Sequence, residues 1–325
     1  MSEMISLAPI IRNYLKLKRA LGRGYAEEER VLRSLNQFLL ETKAVDLTSN
    51  TFELWSNTLA HLTPTVRRNR MRIVRNFCIY RSRQEPGCFI PDKRIFPAPH
   101  QPIRPHIFTE AQIVCLLRAA DHLRPHCWSP LRPQLFRLAI VLLYTTGLRR
   151  GELARLTLSD YNKEELTLHV RESKFHKSRY VPLSADASKE IEKYLDKRRR
   201  LRLPMSRESS LLWNTFCTDG TYCGEGLGNS IRRIMIAADI RKEDGTVPRV
   251  HDFRFTFAVH TLLRWYRAGA DVQNKLPILA AYMGHVSIIS TEYYLPFVPD
   301  LKLEASSQFC RRYGALVQPL GEDAI

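Results

Sequence analysis

The chain has 325 residues, 44% of them hydrophobic, and its 50 lysines and arginines against 33 aspartates and glutamates give a formal net charge of +17. That length predicts two domains, and the charge predicts a polyanionic partner, nucleic acid first. No run of about 18 apolar residues exists, which argues against a bilayer-spanning helix or a membrane partner, and the N-terminus lacks the pattern of a secretory signal, so the expected location is cytoplasmic.

Residues 5–83 show helical periodicity throughout, with Leu32, Leu35 and Leu39 as one stripe and polar breaks near 22–24 and 46–50. Four helices are expected. The last of them sets Val74, Phe77 and Tyr80/Arg81 against Arg68, Arg72 and Arg75, an apolar face beside an arginine face. A lone basic helix reads equally well as a solvated surface. In a chain this basic, phosphate contact by Arg68, Arg72 and Arg75 is the preferred expectation. Six prolines from Pro86 to Pro105, with almost no helical periodicity, read as an extended connector. The expected organisation is a helical domain over 1–84, a linker over 85–107 and a second domain over 108–325.

Thr109 followed by Gln112 resembles a capping box that opens a helix. Residues 133–146 form a helix apolar nearly all round, hence deeply buried. The alternation at 164–171 and the RYVPL stretch at 179–183 predict two strands, joined by a hairpin with residues 173–177 at its tip. Helices are then expected over 185–201, 228–238, 253–268, 276–283 and 287–294. The basic run 197–200 reads either as a phosphate contact or as a solvated helix end. Seven cysteines, at 78, 88, 115, 127, 217, 223 and 310, are scattered and include no CxxC pair. They read as reduced thiols, and Cys217 with Cys223 is a poor candidate for zinc, so no metal is expected.

Four stretches carry candidate chemistry. In TTGLRRGEL, residues 145–153, a glycine ends the buried helix so that Arg149 can point away from the core, and Glu152 stands where a carboxylate could orient its guanidinium. SKFHK, residues 173–177, offers exposed lysines. In HDFRFTFAVH, residues 251–260, His251 and Arg254 share one face at a helix start, which favours anions. In GHVSIISTEYY, residues 284–294, His285 follows a helix-ending glycine and two tyrosines follow. Each alone has an ordinary structural explanation. Together they supply what metal-free phosphodiester cleavage needs: rigid guanidiniums for the charge on the non-bridging oxygens, a proton donor for the leaving oxygen and a nucleophile. A tyrosine hydroxyl, with an ordinary pKa of about 10, needs such a cationic neighbourhood to react.

In this order and spacing the set closely resembles the tyrosine recombinases, the family of lambda-type (phage) integrases and Xer proteins, over nearly the whole chain. The resemblance implies an all-α, SAM-like core-binding domain followed by the mixed, mainly α tyrosine recombinase catalytic fold with its small β-sheet. It matches GLRRGEL to the family's GLRxxEL box, making Arg149 rather than Arg150 the first clamp arginine with Glu152 in support. The offset to VPL selects Lys174 over Lys177, HDFR supplies His251 and Arg254, and GH supplies His285. Family spacing places the nucleophile nine residues after His285, at Tyr294. Helical geometry at about 100° per residue agrees: Tyr293 falls with Val286 and Ile289 on an apolar face, and Tyr294 with Ser287 and Ser290.

The resemblance implies site-specific recombination or integration through a 3′-phosphotyrosine, with no cofactor, on paired double-stranded DNA sites, by a homotetramer or an assembly with related recombinases. Two departures stand out. Phe255 occupies the place of a frequent second histidine, and the stretch from His251 to His285 is longer than in Xer proteins, as in integrases of transposons and other mobile elements. The tail over 303–317 resembles one that docks on a neighbouring subunit, against an ordinary closing helix. The rival readings are a type IB topoisomerase, which would relax DNA without exchanging partners, and a non-catalytic DNA-binding regulator of the same fold.

Overall fold

The computed structural model describes residues 6–98, 104–126, 129–171, 178–217 and 220–284. The chain divides into two compact units, Met1–Ile103 and Arg104–Ile325.

The first unit contains the four expected helices: α1 (Ala8–Ala20), α2 (Ala26–Glu41), α3 (Ser49–Thr58) and α4 (Pro64–Arg81). Each turns one stripe inward, with Tyr14, Leu32, Leu35, Phe52, Trp55, Val74 and Phe77 in a single core. Thr48 opens α3 by capping, its hydroxyl accepting from the Thr51 N–H. Arg81 is buried at the end of α4. It donates to both carboxylate oxygens of Asp46, at 2.5 and 3.0 Å, and through Nε to Glu85 at 2.7 Å.

The proline-rich stretch, as far as it is described, packs on this unit. Phe96 is buried in the core, and Phe89 and Ile90 lie against it. Two of the α4 arginines fasten it: Arg68 donates to the Pro97 carbonyl at 2.6 Å, and Arg75 donates to the carbonyl of Pro91. Both are half-buried, whereas Arg72 is exposed. The arginine face therefore has an internal structural task that periodicity alone did not reveal.

The second unit is built around α6 (Arg132–Thr146), buried on nearly every side as its sequence predicts. Against it pack α5 (Glu110–Asp121), α7 (Arg150–Arg155), α8 (Ala185–Arg200) and α10 (Asp252–Arg267), while α9 (Gly224–Ala237) lies against α5 and α7, and α11 (Val272–Met283) against α10 in a second apolar cluster. The expected box opens α5, where the Thr109 hydroxyl accepts from the Gln112 N–H and the Gln112 side chain accepts from the Thr109 N–H. Strands β1 (Tyr161–Asn162), β2 (Thr167–Val170) and β3 (Arg179–Pro182) form one antiparallel sheet, with Leu168 opposite Val181 and Val170 opposite Arg179. The middle strand starts later than the alternation at 164–171 implies. Leu166 adopts φ +50° in a tight turn, and Asn162 Oδ1 accepts from the Glu165 N–H to hold it.

Helices α9 and α11 each begin four residues before their expected starts. Asp271 caps α11 by accepting from the Asn274 N–H at 3.2 Å, so the helix is under way before Pro277 interrupts its bonding. In the run 197–200, Arg198 is fully buried. It donates to the carbonyls of Pro204 and Ser210, and its guanidinium lies 5.0 Å from the Trp213 ring centre. Among the described residues, no helix is long and apolar enough to cross a membrane.

Candidate active site

The site grows from helix ends. Helix α6 stops at Gly147, which adopts φ +60°, and a Cβ there would stand 2.6 Å from the Phe257 ring. Only glycine allows both the turn and that approach. The reversal starts α7 with Arg149 at its N-cap and Glu152 one turn in. The Arg149 N–H donates to Glu152 Oε2 at 2.9 Å, and its Nη1 donates to Oε1 at 2.7 Å. The Arg149 side chain stays 24% exposed while that of Glu152 is 2% exposed. The expected support is therefore a direct, bidentate contact. Arg150 turns elsewhere, lying across the first turn of α9 against Gly224 and Gly228.

Arg254 is 1% exposed on the first turn of α10. It donates to the Gly147 carbonyl at 2.7 Å and to the carbonyl of Met283. Arg149 Nη2 donates to the neighbouring carbonyl, Gly284, at 2.8 Å. A third guanidinium joins them, from a residue that sequence reasoning passed over. Arg179, at the start of β3, donates through Nε to the Tyr282 carbonyl at 2.7 Å.

Three arginines from three distant segments thus cap three successive carbonyls at the C-terminus of α11. These carbonyls have no partners within the helix and carry the negative end of its dipole. Gly284 closes the helix at φ +66°, and a Cβ there would stand 2.9 Å from Arg179 Nη1.

Burial by itself would raise the Glu152 carboxyl. The hydrogen bonds and charge of Arg179, then those of Arg149, overcome that and hold its pKa down at about 2. His251 precedes Arg254 by one turn and packs edge-on against Phe255, at 5.4 Å between ring centres. Desolvation of the imidazole, then the positive charges of Arg254 and Arg249, outweigh the nearby Asp252 carboxylate and push its pKa down to about 4. By surface area the residue is nevertheless exposed, which limits how much that desolvation can weigh. The ring is neutral at pH 7 and can accept a proton.

Beneath it, fully buried Asp252 accepts from the Arg249 N–H at 3.0 Å and from its Nη2 at 2.9 Å. The Phe108 N–H donates to Thr256 Oγ1 at 3.0 Å, tying the start of the second unit to α10.

Arg149, Glu152, His251 and Arg254 are therefore brought together. Lys174, His285 and Tyr294, with Tyr293 and the 303–317 tail, lie outside the described residues. Among the described residues, no group of three or more His, Cys, Asp or Glu side chains is arranged to hold a metal ion. Cys223 Sγ accepts from the Gly226 N–H, and Cys217 Sγ accepts from Asn214. Arg179 stood in view as the first residue of the RYVPL strand, but no local signal marked Glu152, 27 residues away, as its partner.

The architecture is that of the tyrosine recombinase catalytic fold. The integrase of transposon Tn1549 in complex with transposon right end DNA superposes with a TM-score of 0.62 at 17% identity, over 93% of this chain and 98% of that one. A lambda integrase dimer bound to a COC′ core site gives 0.62 at 17%, over 91% and 97%. In sequence, the phage integrase family model matches residues 106–297. A candidate integrase/recombinase of Sinorhizobium fredii, y4rB, is 31% identical over 95% of this chain and 99% of its own length. The tyrosine recombinase XerC 2 of Ralstonia nicotianae is 32% identical over 58% of this chain and 48% of its own. The chain belongs to the phage integrase family, and it is a tyrosine-type site-specific recombinase.

Proposed function

We propose that this chain cleaves and rejoins double-stranded DNA with Tyr294 as nucleophile. Arg149, Arg254 and His285 hold the scissile phosphate, Arg149 through its exposed face and Arg254 through the charge of a buried guanidinium that also binds the Gly147 and Met283 carbonyls; Lys174 protonates the departing 5′ oxygen, and neutral His251 accepts the tyrosine proton. The bond formed joins Tyr294 to the 3′ phosphate. The energy kept in that ester allows rejoining to a partner strand without a cofactor.

The observation that carries this reading is the convergence of Arg149 and Arg254 on the carbonyls of Met283 and Gly284, next in the chain to His285. It brings two cations from separate motifs to the root of the segment bearing the tyrosine, where fixed positive charge can stabilise a developing oxyanion. Two of the N–H groups on Arg149's guanidinium are engaged, and among the described residues no acceptor takes the others, so they suit an outside oxyanion.

The same reading extends to paired DNA sites exchanged by a tetramer or an assembly with related recombinases, in the cytoplasm, in the service of a mobile element. The long stretch from His251 to His285 supports the last point. Exposed Arg72 on α4 is the arginine of the first unit best disposed to meet phosphate from outside.

The test is a nicked suicide substrate, on which cleavage traps the covalent complex. Tyr294→Phe is expected to yield no adduct and Tyr293→Phe to retain it. Loss of the adduct in the Tyr293 variant alone would overturn the assignment. A plasmid carrying two target sites then separates strand exchange from relaxation.

A further inference from the structure

Glu152 accepts four hydrogen bonds, two from Arg149 and two from Arg179. Arg179 Nη1 reaches Oε1 at 3.1 Å and Nη2 reaches Oε2 at 2.8 Å, a fork on the carboxylate, while Nε holds the Tyr282 carbonyl. Four bonds fill the acceptor capacity of a carboxylate, so Glu152 has no freedom to turn. The Arg179 side chain is 10% exposed and is screened from solvent far more than Arg149. It is thus arranged to hold protein groups, whereas Arg149 keeps a face open.

We infer that Arg179 is a positioning residue for the cleavage step. By bridging Glu152 on α7 to the last turn of α11, it fixes the orientation of Arg149 and keeps Arg149 in register with the chain that leaves α11 at Gly284. This rests on the reading of Arg149 as a phosphate clamp and Tyr294 as the nucleophile.

Two features of the fold make the bridge specific. Arg179 begins β3 opposite Val170, so its backbone is fixed by the sheet and only its side chain spans the gap. Tyr282, whose carbonyl it holds, stacks on Phe257 at 5.3 Å, and a Cβ at Gly147 would collide with that same Phe257 ring. The three helix ends around Arg149 therefore share one packed contact set. Lysine in place of Arg179 would keep the charge but lose the planar fork, and it cannot satisfy both Glu152 oxygens and Tyr282 at once.

The test uses the full chain on the suicide substrate under single turnover at saturating DNA, with wild type, Arg179→Lys, Glu152→Gln and the double variant. All are assayed well below the lowest of their melting temperatures. The expected result for Arg179→Lys is unchanged DNA affinity and a cleavage rate lower by roughly 10²-fold, the scale of a small misplacement of a reacting group. In the Glu152→Gln background the same change is expected to cost less than about 2-fold, because the route through Glu152 is already broken.

Wild-type cleavage in Arg179→Lys overturns the inference, as does an equal loss in both backgrounds, which marks a general structural role. Should Arg179→Lys fail to fold, Arg179→Gln takes its place in the same cycle. Absence of adduct with wild type would instead overturn the reading of Tyr294, and this inference with it.

Discussion

In the first unit one guanidinium, Arg81, meets two carboxylates, Asp46 and Glu85; in the second, one carboxylate, Glu152, meets two guanidiniums, Arg149 and Arg179. The first knot is closed. Its arginine side chain is 4% exposed, and the surplus charge is negative, on carboxylates that reach solvent. The second knot is open on one side: its carboxylate is sealed, the surplus charge is positive, and it lies on the arginine that remains accessible. Similar chemistry thus serves cohesion in one place and, in the other, leaves an accessible cation, the one proposed above to meet the phosphate. What distinguishes them is which partner is in excess and which of them faces water.

The sharpest way to break this comparison is to remove the open member. Arg149→Ala is expected to reduce adduct formation by roughly 10³-fold, about 4 kcal/mol in the barrier, as for other fixed donors to a developing oxyanion. DNA affinity should fall far less, since many other cations contribute to it. Rates on the suicide substrate, set beside a binding titration, give both numbers.

Removing the closed member should act on stability instead. Arg81→Met strands Asp46 and Glu85, and because both stay partly exposed the expected loss is about 2–3 kcal/mol, below that of a fully buried pair. Urea unfolding of the variant measures it, and single-turnover cleavage by the folded fraction should be unaltered.

The smallest effect concerns protons. The folded His251 ring has a pKa near 4 against an ordinary 6.5, so below pH 6.5 the unfolded chain binds more protons than the folded one. The contribution of the neutral ring is complete above pH 6.5 and is lost as the pH falls towards 4. Solvent screening keeps this to about 1 kcal/mol, or a melting temperature about 2–4 °C lower for a unit of this size. Melts from pH 7.5 to 4.5, with His251→Gln as the flattened reference, check it. Glu152, held at about 2, should add its own decline only below the ordinary carboxylate range.

Much of this was legible in the sequence because it is local. The four helices, the buried α6, the Thr109 box and the Arg149–Glu152 contact all depend on residues within one or two turns of each other. Glycine at 147 and arginine two residues later could be read as a turn that frees a side chain.

What stayed hidden depends on partners far along the chain. Arg179 matters through Glu152 and Tyr282, 27 and 103 residues away. Arg68 and Arg75 look like a surface stripe until the strap they fasten is known, and Arg198 sits in a run of four cations yet is the fully buried one. Helix α9 begins at Gly224 despite glycines at 224, 226 and 228, which local propensity marks as a poor start. Cys223 caps it, and Arg150 covers its first turn.

The capped end of α11 also constrains how this part of the chain can vary in length. A residue inserted within an α-helix advances its end by about 1.5 Å and rotates it by about 100°. Arg149, Arg179 and Arg254 stand on three separate supports and could not follow such a rotation, so a single insertion inside Val272–Met283 would present each of them with the wrong carbonyl. The turn at Gly269, ahead of the Asp271 cap, carries no such phase requirement. A change of length in that turn would leave the phase of α11 unaltered, while α11 itself acts as a gauge whose pitch sets where the chain leaves at Gly284.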